Sequence, residues 1–100
     1  MNSHEEISDK DIKAIILFKL YRLGKWEANH TDFENVKRGF KPRELGKKGL
    51  RRVEELTEEL IREGYIIPKI TSYGYHVSLN SHKSKEILKI IEEFMRKQFS

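Results

Sequence analysis

Residues 59–80 read ELIREGYIIPKITSYGYHVSLN, and this passage decides the architecture. It opens on the end of an amphipathic helix, where Leu60 and Ile61 close an apolar stripe that includes Leu50, Val53 and Leu56. Those five fall on one arc of a helical projection, as in a helix lying on a core with its other face exposed. Gly64 stops the helix. Two β-prone runs follow, YIIPKI at 65–70 and YHVSL at 75–79, around the polar tip Thr71, Ser72, Tyr73 and Gly74. Two such runs about a glycine-bearing tip predict a β-hairpin. Tyr75, Val77 and Leu79 alternate with His76 and Ser78, which predicts one buried and one wet face. Pro68 offers no N–H to a ladder and so belongs at a sheet edge.

Working back toward the N-terminus, the secure part of this helix covers residues 48–63. Its start is open: Pro42 suits a first helical position, whereas Gly46 and Gly49 weaken any helix through them. Before it, Thr31 and Glu34 form a T-x-x-E capping box that begins a short helix with Phe33 and Val36 on its inner side. Trp26, in the connector 25–30, is placed to seal one end of the core. The first helix starts at a Ser8 cap with Asp11 in its acidic first turn and runs to Gly24. Ile12, Ile15, Ile16, Leu17, Phe18, Leu20, Tyr21 and Leu23 cover most of its circumference, so it is read as a scaffold packed on several sides. Residues 1–7 read as a flexible leader and 8–100 as one domain.

Beyond the hairpin, Asn80 or Ser81 caps a last helix over 82–99 carrying Ile87, Leu88, Ile90, Ile91, Phe94, Met95 and Phe99. Its apolar arc is wider than a small core needs. Two readings fit: a homodimer contact or a shallow groove on the same domain.

One hundred residues allow one ordinary core. The absence of cysteine removes disulfides, thiolate zinc sites and cysteine nucleophiles together. No apolar run approaches the roughly 20 residues that span a bilayer, and the polar, acidic start lacks a secretory signal, so a cytoplasmic protein is expected. Gly46, Lys47 and Lys48 lack the glycine spacing and the Ser or Thr of a phosphate-binding loop. Histidines 4, 30, 76 and 82 show no metal-ligand spacing, and His76 is expected to face solvent. No enzyme, metal or cofactor is expected.

The net charge of +4 is unevenly placed. Residues 37–52 hold eight cations, Lys37, Arg38, Lys41, Arg43, Lys47, Lys48, Arg51 and Arg52, against Glu44 alone, a formal +7. Residues 1–36 come to −2, 53–80 to −3 and 81–100 to +2. A charge run on a small protein is usually only a solvated face. Here it coincides with the end of one helix, a turn and the start of the next, whose unpaired amides also attract phosphate.

The order helix, helix, helix, hairpin, helix resembles the winged-helix class of helix-turn-helix proteins. Residues 59–80 are similar to the helix-to-wing junction of small archaeal single-domain members. The glycines of 40–49 depart from the continuous helix that many members have there. The resemblance implies a mainly helical α+β fold and double-stranded DNA binding, most simply by a transcription regulator. The third helix would enter the major groove, only by its first turns, because Glu54, Glu55, Glu58, Glu59 and Glu63 follow. Lys37, Lys41, Arg43, Lys47 and Lys48 are expected on phosphates. Arg51 and Arg52 lie away from the apolar stripe and are candidates for base edges, where the arginine fork suits guanine. At the wing, Lys69, Ser72 and Tyr73 could serve phosphate or minor groove, while packing against the last helix is an equal reading for Tyr73 and the stronger one for Tyr75. His82, Lys83 and Lys85 form a smaller basic cluster. The competing reading is a protein-interaction winged helix within a larger nucleic-acid-processing assembly.

Overall fold

The computed structural model describes residues 7–99. Helices α1 (Asp9–Arg22), α2 (Phe33–Lys37), α3 (Arg51–Arg62) and α4 (Ser84–Phe99) accompany a small antiparallel sheet. The sheet comprises β1 (Thr31–Asp32), β2 (Ile66–Thr71) and β3 (Gly74–Leu79), in the order β1-β3-β2. The fold is therefore α+β and mainly helical.

α1 is the hub. Ile12, Ile16, Leu17 and Leu20 have no exposed surface, and the helix touches α2, α3, α4 and β3, which is why its apolar residues run nearly all round. The Ser8 hydroxyl accepts the Asp11 amide at 3.1 Å, as the cap pattern predicts. Replacing that acceptor leaves an orphan amide, so Ser8→Ala should cost about 1 kcal/mol in urea unfolding. Ile7, placed by the sequence in the leader, instead packs on the core and donates its amide to the Glu44 carbonyl at 3.1 Å. The rest of that expected leader, 1–6, lies outside the described residues.

The hairpin forms where expected, with Ile66 opposite Leu79 and Thr71 opposite Gly74. Pro68 sits on β2, an edge strand, where its missing N–H has no ladder to break. Three local expectations are corrected. A two-residue strand, β1, precedes α2 and pairs Thr31 with Val77 and Asp32 with His76. Thr31 is consequently in the sheet, and Asp32 caps α2, accepting the Glu34 amide at 2.9 Å. Helix α3 begins at Arg51 rather than 48, because Gly46 and Gly49 take φ of +78° and +57°, outside the right-handed helical region.

β3 is central, which alters its wet face. Ser78 is buried, at 1% exposed. His76 is half-buried, and its Nδ1 lies 2.9 Å from Nδ1 of His30 instead of facing open solvent. Trp26 packs on the core beside a bridge to Leu79 and meets Tyr21 edge-on at 6.4 Å. Asn80 caps the 3-10 turn Ser81–Lys83 that leads into α4, accepting the His82 amide at 3.0 Å. In α4, Ile87 and Ile91 are buried. Ile90 and Phe94 are half-buried and, with Ala14 of α1, line a groove of about 370 Å³. None of the described helices is long and apolar enough to cross a membrane.

Candidate nucleic-acid interface

The basic segment is pinned from inside at regular intervals. Val36 and Leu45 are each 1% exposed and Val53 has no exposed surface, while Phe40 is half-buried against the same core. Between these anchors the chain leaves α2, makes the 3-10 turn Pro42–Glu44 and enters α3. α1 supports the first bend: the Lys19 ammonium donates to the Arg38 carbonyl and lies 5.7 Å from the Phe40 ring centre. Burial there holds the Lys19 pKa below its ordinary value. Gly39, at φ +93°, brings the chain so near that a Cβ would come within 3.1 Å of that ammonium.

Three of the eight cations are tied to acids elsewhere in the chain. Lys37 bridges Glu34 at 3.0 Å and Glu54 at 3.1 Å and covers the Phe33 ring. Its hydrogen bonds to those two carboxylates raise its pKa. Lys48 pairs with Glu55 at 2.9 Å.

The Arg52 guanidinium meets Asp9 at 2.7 Å and donates to the carbonyls of Ile7 at 2.6 Å and Leu45 at 3.4 Å. Its side chain is only 15% exposed. Arg52 thus ties the start of α1 to the turn before α3. The expectation that it stands clear of the core is corrected: Asp9 and two backbone carbonyls engage its fork.

Lys41, Arg43, Lys47 and Arg51 are exposed, and among the described residues they make no ion pair. Arg38 joins them. Sequence reasoning counted it in the charge run without singling it out; it is exposed, and its guanidinium bonds the Asn35 side-chain oxygen at 2.8 Å. Its place in the basic run beside Lys37 was the available signal.

The acids of α3 prove to be latches. Glu54 and Glu55 hold Lys37 and Lys48, while Glu59 and Glu63 hold Lys13 of α1 at 2.9 and 3.1 Å. Burial alone would lower the Lys13 pKa, but hydrogen bonds to these two carboxylates outweigh it and the pKa is raised. Only Glu58 of the five lacks an ion pair among the described residues. The repulsion that the run of glutamates would exert on DNA is thereby reduced.

At the hairpin tip, Lys69 and Ser72 are exposed and Tyr73 is 88% exposed, with its amide donating to the Thr71 hydroxyl at 3.0 Å. Tyr73 does not pack on α4; it borders a groove of about 500 Å³ shared with Glu54 and Glu58 of α3. Tyr75 packs on Phe33, ring centres 5.4 Å apart, rather than on α4. Burial, aided by the charge of Glu58, raises the Tyr75 pKa. In the smaller cluster, His82 and Lys85 are exposed, while Lys83 is half-buried over the Tyr65 ring.

Compared with families of known proteins, with curated proteins and with solved structures, the chain matches none.

Proposed function

We propose that this chain is a winged-helix domain that binds double-stranded DNA, with residues 38–51 on the phosphate backbone and the first turn of α3 toward the major groove. The observation that carries this reading is the set of five exposed cations, Arg38, Lys41, Arg43, Lys47 and Arg51, left without ion pairs on one anchored segment. The other three cations of the same run are neutralised within the fold. The succession of three helices and a hairpin supports the winged-helix assignment.

Arg38, Lys41, Arg43 and Lys47 hold phosphates in this account, Arg51 reaches a base edge, and Lys69 and Ser72 place the wing on the backbone. A transcription regulator is the simplest such role. Fluorescence anisotropy with a labelled duplex should give a log-log salt slope of about −4 to −5 if Arg38, Lys41, Arg43, Lys47 and the wing's Lys69 each neutralise one phosphate. A slope near zero, or no binding at about 50 mM salt, counts against the proposal.

The α1–α4 groove favours a second reading, a protein-interaction module or homodimer. Ile90 and Phe94 line it, and Phe99 at the end of α4 is 80% exposed. Sedimentation velocity separates the two. An assembly disrupted by Phe94→Glu together with indifference to duplex would favour the interaction module.

A further inference from the structure

We propose that His30 and His76 form a clamp on β1 that accepts one proton and is opened by a second, so that acidification releases this strand. The two Nδ1 atoms are 2.9 Å apart and the rings cross at 78° with centres 4.8 Å apart. At that distance one nitrogen must donate and the other accept. A neutral pair meets the requirement, and so does a pair with one imidazolium donating to a neutral ring. A doubly protonated pair cannot, because both nitrogens then carry hydrogens facing each other.

The surroundings also oppose the second charge. His30 is half-buried, and Lys25 from the loop after α1 and Lys69 from β2 act on it with His76 itself. Burial is the largest influence and these three charges follow, all lowering its pKa. His76 lies opposite Asp32 of β1 on one side and Lys69 of β2 on the other. Asp32 is the one acid in this ring of groups, and its carboxylate also caps α2.

The consequence falls on β1, which besides this link is held by its short ladder, the burial of Thr31 and the Asn35 amide on the Thr31 hydroxyl. The strand has two residues, registered at Thr31–Val77 and Asp32–His76, and His30 immediately precedes it. Loss of the imidazole link removes the side-chain connection next to a two-position ladder. It also loosens Asp32 and hence the first turn of α2, which leads into the basic segment.

Below about pH 6.5 the unfolded chain binds up to two protons at these rings and the folded pair at most one. Stability is therefore highest above that pH and falls as pH drops beneath it. The difference of up to one proton lowers the folding equilibrium constant by up to about tenfold per pH unit. His30→Gln can still bond His76 but cannot titrate, and His4 and His82 are the same in both proteins.

The expected result is a steeper acid loss of stability for wild type than for His30→Gln, by up to that factor. Equal pH dependence in the two would overturn the proposal. Imidazole NMR of the wild-type chain supplies a second test that needs no variant. The account predicts two separated titration steps for the pair, with amide-exchange protection at Thr31 and Val77 collapsing at the lower step. Two independent titrations near the ordinary histidine value, with protection unchanged, would refute it.

Discussion

Replacing Lys41, Arg43 and Lys47 together with alanine should reduce duplex affinity by roughly a hundredfold at near-physiological salt and lower the salt slope by about three. Each phosphate contact that is lost withdraws one released counterion from the binding equilibrium, which is why slope and affinity move together. The same triple variant should keep its fold. All three side chains are exposed and lack ion pairs among the described residues; surface changes of this kind usually alter stability by no more than about 0.5 kcal/mol each. Lys37→Ala and Lys48→Ala form the contrasting pair. Each removes a cation already held by a glutamate, so each should change the slope by much less than one. If Lys37 and Lys48 matter as much as Lys41 and Lys47, the division of the segment into tied and outward cations is wrong.

Arg52→Ala should act in the opposite sense, through stability. The guanidinium joins Asp9 and the Ile7 carbonyl to the Leu45 carbonyl, across 43 and 7 residues of sequence. Hydrogen bonds involving a charged group are worth about 1.5–3 kcal/mol. Truncation also leaves partly covered carbonyls and the Asp9 carboxylate without this partner. Partial solvent exposure at Asp9 discounts the ion pair itself, so a total loss of about 2 kcal/mol is expected, or roughly 10–15 °C in melting temperature. Arg51→Ala, one residue earlier and exposed, should leave the melting temperature nearly unchanged and weaken duplex binding. Arg52→Lys should not rescue stability, because one ammonium cannot reproduce the planar fork. Calorimetry on the three variants distinguishes a tether from a contact residue.

Much of the fold could be read from local pattern. The 3.6-residue spacing of Val53, Leu56 and Leu60, the Ser8 cap, the stop at Gly64 and the alternation through Val77 and Leu79 each need only a few neighbouring residues to be recognised. β1 could not be read this way, since a two-residue strand has no period. Its presence also moved the α2 cap: Thr31 and Asp32 can both cap, and pairing of Thr31 with Val77 leaves the role to Asp32. The start of α3 was visible only as a conflict between Pro42 and the glycines, which the positive φ of Gly46 and Gly49 resolves.

The candidate site was legible as a charge count and not as a surface. Composition places eight cations in sixteen residues but is silent on which will find a carboxylate in the fold. Asp9 reaches Arg52 from 43 positions away and Glu54 reaches Lys37 from 17. Four of the five glutamates of 54–63, read as a face that DNA would avoid, hold lysines of α1, α2 and the preceding turn. His30 and His76 are likewise 46 residues apart, and nothing in their spacing suggests a pair.

The most direct test of the central claim is a proton–nitrogen NMR titration of the folded chain with a short duplex. The account predicts shift changes concentrated at the amides of 38–51, with a smaller set at Lys69 and Ser72 and none on α4. Shifts confined to the α1–α4 groove, or no shifts at low salt, would contradict it.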